Sequence, residues 1–241
     1  MSLDDLREAV CAANLALVDA GLVTLSFGNA SGADRERGVF VIKPSGVPYR
    51  TLRPADMVVV RIGDGRVAEG DLRPSSDTPT HAELYRRFPS IGGVVHTHSS
   101  FAASWAQAGR SIPALGTTHA DHFHGPVPVT RPMTDGEIEG GYEHETGALI
   151  AATIEELGID PLAMPAALVA SHGPFCWGRD AADAVANAIA LEAVAAMAYR
   201  TLALAPDVGA ISEALRGRHH ERKHGPRATY GQASSREMSQ D

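Results

Sequence analysis

Between residues 57 and 68 the chain spells out a hairpin. Met57-Val58-Val59-Val60-Arg61-Ile62 and Arg66-Val67-Ala68 flank Asp64-Gly65, and an Asp-Gly pair between apolar runs marks a tight turn joining antiparallel strands. Parallel strands need long crossovers instead. Helical segments nevertheless precede and follow the hairpin. The expectation is an α/β fold: a single layered α/β/α domain around a central mixed, mainly antiparallel sheet, not a doubly wound one. Gly63-x-Gly65-x-x-Ala68 formally matches a dinucleotide fingerprint, but Gly70 and Pro74 stand where its helix would have to start.

Periodicity fills in the remaining elements. Leu3, Leu6, Val10, Ala13 and Leu17 share one face of a helix over 3–20, stopped by Gly21. Ser26-Phe27-Gly28-Asn29-Ala30-Ser31 reads as a loop, and 39–42 as a strand ended by Pro44-Ser45-Gly46. Thr78-Pro79 reads as the cap and first residue of a helix reaching Phe88. A buried strand over 92–97 leads to a helix over 99–108, and 126–129 is a strand candidate. Thr134-x-x-Glu137 is a capping box for a helix broken near Gly140-Gly141. Residues 166–171 form a strand, continued after a turn by 175–177. Asp180 caps a long Ala-rich helix to about Leu204, and a last helix runs from Val208 to about Arg222. With 241 residues, 44% hydrophobic and 21% charged, the chain suits one core. Residues 1–232 are expected to form that domain and 233–241 a disordered tail.

A net charge of -8 argues against nonspecific nucleic-acid binding. The basic run at 216–223 fits a helix end facing a phosphorylated substrate or a neighbouring subunit. Cys11 and Cys176 make no disulfide framework and read as buried thiols. Met1-Ser2-Leu3-Asp4-Asp5 lacks the basic-then-apolar pattern of a secretory leader. Asp183, Asn187, Glu192 and Arg200 interrupt the longest apolar stretch, so no membrane span is expected. A cytoplasmic location follows as an expectation, and the Asn29-Ala30-Ser31 sequon then carries no meaning.

The chemistry gathers at segment ends. His96-Thr97-His98 closes the strand Gly93-Val94-Val95, and strand alternation turns both imidazoles to one face. Such a pair can share a transition-metal ion, though alone it is a weak signal. His172 stands at a second strand end, before Gly173-Pro174. Asp77 is the candidate fourth ligand, and a helix-cap carboxylate beside Thr78 is an equal reading. Gly28-Asn29-Ala30-Ser31, Pro44-Ser45-Gly46 and Pro74-Ser75-Ser76 are each ordinary turns when taken singly. Together, with Lys43 nearby and Ser75 and Ser76 at a helix start, they suggest a phosphate cradle.

Longer strings extend these. They are Thr24-Leu25-Ser26-Phe27-Gly28-Asn29-Ala30-Ser31, Lys43-Pro44-Ser45-Gly46-Val47, Pro74-Ser75-Ser76-Asp77-Thr78-Pro79-Thr80-His81 and Val95-His96-Thr97-His98-Ser99. Gly116-Thr117-Thr118-His119-Ala120-Asp121, Ser171-His172-Gly173-Pro174-Phe175, Arg222-Lys223-His224-Gly225 and Tyr230-Gly231-Gln232 follow in order. From Leu3 to Gln232 the chain thus resembles the class II aldolase family, and within it the sugar-phosphate 4-epimerases. The resemblance implies one divalent ion per subunit, Zn2+ or another such as Mn2+ or Co2+, held by Asp77, His96, His98 and His172. It implies a phosphate site from Asn29, Ser45, Gly46, Ser75 and Ser76, with Lys43 close to the substrate. Asp121 and Tyr230 become the acid–base residues. A homotetramer is implied, each active site lying at a subunit boundary that Tyr230 crosses. The implied reaction interconverts L-ribulose 5-phosphate and D-xylulose 5-phosphate, in L-arabinose catabolism or ascorbate use. Family aldolases acting on fuculose or rhamnulose phosphates carry Glu where this chain has Asp77.

C4 of a 2-ketopentose is not adjacent to the carbonyl, so its hydrogen is not acidic enough for simple abstraction. Oxidation and re-reduction would need a nicotinamide motif that the chain lacks. Opening and re-forming C3–C4 remains, with a cation steadying the enediolate. From the residues alone, Asp121 equally suits a salt bridge, and Tyr230 an idle terminus. His119, His122, His124, His144, His220 and His224 receive no role. The competing readings are a class II sugar-phosphate aldolase, a non-catalytic metal-binding protein and a non-haem iron oxygenase. Asp77, the phosphate cradle and a third histidine argue against them in turn.

Overall fold

The computed structural model describes residues 1–224 and Ala228. Tyr230, Gly231, Gln232 and the stretch 233–241 lie outside the described residues. A 7-stranded sheet in the order β4-β3-β2-β1-β5-β7-β6 forms the centre. Its strands are β1 (Asn29–Asp34), β2 (Val39–Ile42), β3 (Val58–Arg61), β4 (Val67–Glu69), β5 (Gly93–His96), β6 (Ala166–Leu168) and β7 (Pro174–Gly178). Every ladder between them is antiparallel, and Val129 adds an isolated parallel bridge to Leu168. The expected hairpin is the β3–β4 pair.

One face of the sheet is covered by α1 (Leu3–Asp19) and α6 (Ala181–Leu204). Ser2 and Asp5 cap α1 reciprocally, satisfying amides that a helix start leaves open. By length and composition α6 could cross a membrane, but here Ala184, Ala188, Leu191, Val194 and Ala195 are buried against sheet and helix. On the other face lies α2 (Thr78–Arg87), backed by α5 (Asp135–Glu156). There Tyr85 packs on Phe40 and Phe88 on Trp177. The Arg35 guanidinium donates to Tyr85 O, Phe88 O and Ile91 O at 2.7, 2.9 and 2.6 Å. It thereby pins the end of α2, where unpaired carbonyls favour a cation. The Gly140-Gly141 break is present: α5 kinks at Gly141 (φ 144°, ψ 63°).

The structure departs from the sequence expectations at several points. Residues 29–31 are not loop but the start of β1, a central strand. Asn-Ala-Ser-Gly-Ala-Asp lacks the β-branched and aromatic residues that mark strands, and pairing on both sides supplies what propensity does not. Buried Asn14 helps, accepting from Ala30 N at 2.9 Å and donating to Ala30 O at 3.0 Å. Asp77, not Thr78, occupies the cap position of α2, and its side chain makes no capping bond. Residues 126–129 form only isolated bridges. A short helix, α4 (Thr117–His122), lies where none was expected, and the last helix, α7 (Glu213–His224), begins five residues later than Val208. The polar α4 carries little helical signal and is held by packing on α7. Between β5 and α4 comes α3 (Ser100–Gln107).

Gly93 shows how tightly α6 meets the sheet. A Cβ built there would sit 2.1 Å from Asp180 O, a backbone atom fixed by the helix start. Gly93→Ala is expected to cost more than ~3 kcal/mol and leave little soluble folded protein, as read by yield and far-UV circular dichroism. Gly63→Ala, where nothing lies within 4 Å, should fold as the parent does.

Candidate metal and phosphate site

The site is assembled at strand ends. In the β1–β5 register Asn29 pairs with His96, so the start of one strand meets the end of the other. His98 follows two residues on. Its chain direction is fixed by α3, whose first turn is capped by Glu192 of α6 accepting from Phe101 N and Ala102 N at 2.8 and 2.9 Å. His172 is carried by the turn between β6 and β7, where Ser171 adopts a left-handed backbone (φ 62°). That conformation costs a non-glycine residue ~1–2 kcal/mol. Pro44 bridges to Pro74, with Ser45 N donating to Arg73 O at 2.9 Å and Ser75 N to Lys43 O at 3.0 Å. These bonds stitch two of the presumed turns into one wall. Asn29 Nδ2 adds the third, donating to Ser75 Oγ at 3.1 Å.

The result is a cavity of about 440 Å³. Every ligand and phosphate residue expected from the sequence lines it: Asn29, Lys43, Ser45, Gly46, Ser75, Ser76, Asp77, His96, His98 and His172. Among these, His96, His98 and His172 bring nitrogen atoms within 4.8 Å of one another. His96 is buried, His172 half-buried and His98 exposed, so the cluster is backed by protein and open at its mouth. His96 Nδ1 lies 3.0 Å from Pro174 O. A carbonyl can only accept, so Nδ1 carries the proton and Nε2 keeps its lone pair. That lone pair lies 3.0 Å from His98 Nε2. Phe175 stacks on the His96 ring at 4.2 Å.

Burial, and then the neighbouring His172, hold His96 well below the usual imidazole range. Burial, and then His98, lower His172 as well. Both are therefore neutral near pH 7, the state in which imidazole binds a cation. Three convergent imidazoles with an open side fit a borderline divalent ion. Asp77 lines the same cavity, but the close grouping among the described residues consists of the histidines alone. The Asp77 carboxylate accepts from Asn29 Nδ2 at 2.6 Å. It is half-buried at the cap position of α2, with no capping bond from its side chain.

Asp121 is not among the residues lining this cavity. It sits in α4, accepting from Arg222 Nε and Nη2 at 3.1 and 2.9 Å and paired with His219 Nδ1 at 3.0 Å. Partial burial works to raise its carboxyl, but hydrogen bonds from Arg222 and His219 outweigh that and hold it below the ordinary carboxylate range. It is ionised at neutral pH. Tyr230 lies outside the described residues.

Sequence reasoning missed Tyr142 and Glu143, which line the cavity from α5 just after the kink. Thr80 Oγ1 donates to Glu143 O at 2.5 Å, tying the kink to α2. The double glycine was the available signal, since a helix break re-aims the residues that follow it. Tyr142 Oη lies 3.1 Å from His172 Nδ1, where it orients the ring. Tyr142→Phe is expected to weaken divalent-metal affinity about tenfold, measured by competition with a chromophoric chelator.

The family described as class II aldolase and adducin N-terminal domain matches residues 8–199. L-ribulose-5-phosphate 4-epimerase UlaF of Salmonella paratyphi C is 53% identical over 230 residues, covering 95% of this chain and 100% of the relative. The protein of that name from Salmonella choleraesuis matches to the same extent. Among solved structures, an L-fuculose 1-phosphate aldolase superposes with a TM-score of 0.76 at 23% identity, over 90% of this chain and 95% of that one. L-fuculose-1-phosphate aldolase from Thermus thermophilus gives 0.65 at 24% identity, over 86% and 98%. The match across most of the chain, the shared fold and the histidine cluster agree: this chain belongs to the class II aldolase family.

Proposed function

We propose that this protein is an L-ribulose-5-phosphate 4-epimerase, interconverting L-ribulose 5-phosphate and D-xylulose 5-phosphate by opening and re-forming C3–C4. One observation carries the reading: a single cavity is lined both by an imidazole cluster and by a cradle of Asn29, Lys43, Ser45, Gly46, Ser75 and Ser76. That arrangement suits a ligand with metal-binding oxygens at one end and a phosphate at the other. The identity to epimerases over their full length supports it.

His96, His98 and His172, with Asp77, would hold one divalent ion per subunit, Zn2+ before Mn2+ or Co2+. When bound, such an ion supplies positive charge at the C2 and C3 oxygens, where the electrons of the broken bond collect. Asp77 is one methylene shorter than the Glu of the aldolases in this family, which suits a ligand better than a base. The cradle binds the phosphate of the glycolaldehyde phosphate fragment. The serine hydroxyls of the cradle take the phosphate oxygens, and Lys43 adds charge. Tethered there, the fragment turns its carbonyl and is attacked on the opposite face, inverting C4 rather than leaving.

The C4 hydroxyl proton must be removed in cleavage and returned in re-formation, on a different side for each epimer. We assign these transfers to Asp121 and Tyr230. Asp121, ionised and held by Arg222 and His219, starts as a proton acceptor. Because it does not line the cavity of its own chain, we place both residues at the active site of a neighbouring subunit in a homotetramer. We place the protein in the cytoplasm, in pentose breakdown from L-arabinose or ascorbate.

A coupled assay for D-xylulose 5-phosphate tests the activity, and accumulation of free glycolaldehyde phosphate in its place would mark an aldolase. Asp121→Asn and Tyr230→Phe are each expected to lower kcat by ~10²–10⁴-fold, and either variant at full rate removes that residue from the mechanism. Chelation should abolish turnover reversibly while far-UV circular dichroism is unchanged, since the ligands lie at one edge of a large apolar core. Unfolding on chelation would point to a purely structural ion.

A further inference from the structure

We propose that Tyr49 is a positioning residue of the phosphate cradle, holding from behind both the Gly28 backbone and the Lys43 ammonium. The proposal rests on the reading of this cavity as a sugar-phosphate site. Tyr49 is buried, at 6% exposure, and is not among the residues lining the cavity. It acts on two that are. Its hydroxyl donates to Gly28 O at 2.8 Å, with Phe27 O at 3.3 Å, so it fixes the peptide plane leading into Asn29. That plane has little other freedom. Gly28 is left-handed (φ 79°), and a Cβ there would meet His96 O at 2.7 Å. The Tyr49 bond therefore sets how the cradle loop lies against the histidine-bearing strand.

The ring has a second use. Lys43 Nζ stands 4.8 Å from its centroid, within reach of the electron-rich face. Lys43 is only 2% exposed, and burial lowers its pKa. An ammonium has three donors, yet the hydrogen bond it makes among the described residues is a long one, to Pro44 O at 3.3 Å. The aromatic face keeps the charge tolerable in the buried wall while leaving donors for an anion. Burial, and then the Asp77 charge, push the Tyr49 phenol up, so it remains a donor throughout the working pH range.

Tyr49→Phe keeps the ring beneath Lys43 and deletes the hydroxyl; Tyr49→Leu deletes both. Inorganic phosphate is titrated calorimetrically into the metal-loaded parent and variants, with KM and kcat for L-ribulose 5-phosphate and chelator-competition metal affinity measured alongside. The Phe variant should bind phosphate about tenfold more weakly, and the Leu variant about a hundredfold. KM should follow phosphate affinity, with kcat and metal affinity falling less. Parent-like phosphate affinity in the Phe variant, or a loss confined to kcat or to metal binding, overturns the proposal. The Phe variant decides alone if the Leu variant does not fold. A parent protein that binds no phosphate ends both this proposal and the sugar-phosphate reading. One that binds phosphate with this dependence yet forms no D-xylulose 5-phosphate ends the epimerase reading and leaves Tyr49 in place.

Discussion

The pairing of Asn29 with His96 across β1 and β5 is the constraint on which the site depends. Asn29 reaches Ser75 and Asp77, and His96 is packed among His98, His172 and Phe175. Strand side chains alternate faces, so a slip of one residue would send Asn29 to the side covered by α1 and α6. Little in the β1 sequence enforces the register through hydrophobic pattern. It is enforced by contacts: Asn14 on the Ala30 backbone, and Ser31 Oγ at 2.7 Å from both His81 Nδ1 and Tyr85 Oη on α2.

That last contact shows how polar groups are accommodated beneath the site. His81 is fully buried, and desolvation drops its pKa to about 3, so it stays neutral and behaves as an uncharged hydrogen-bonding spacer. Burial likewise raises the Tyr85 phenol. Neither group brings charge into the core, and both hold α2 against the sheet. The same helix presents Asp77 at its start and ends under the Arg35 guanidinium. An element bearing a carboxylate at one end is thus anchored at the other.

What could be read from the sequence follows the same physics. Elements with a strong local signal were legible: the Asp64-Gly65 hairpin, the capping box at Thr134, the Asp180 cap and the Gly140-Gly141 break. The convergence of His96 and His98 was legible too, but not for the reason of strand alternation: β5 ends at His96, and His98 is placed by the segment leading into α3. β1 and α4 were not legible, because their conformations come from neighbours distant in sequence. The whereabouts of Asp121 belongs with these, as its partners Arg222 and His219 lie about a hundred residues away. Tyr49 gave no signal because an aromatic after Val47-Pro48 looks like any core residue, and only its contact with Gly28 O distinguishes it.

The kink in α5 gives the cavity two walls of unlike character. Tyr142 and Glu143 arrive on a helix, their backbone tied into its ladder and to Thr80. The facing segments around Phe27, Ser45 and Ser76 are turns stitched by a few bonds. A helical wall yields little to differently shaped sugars. Accommodation of a ligand falls to the turns.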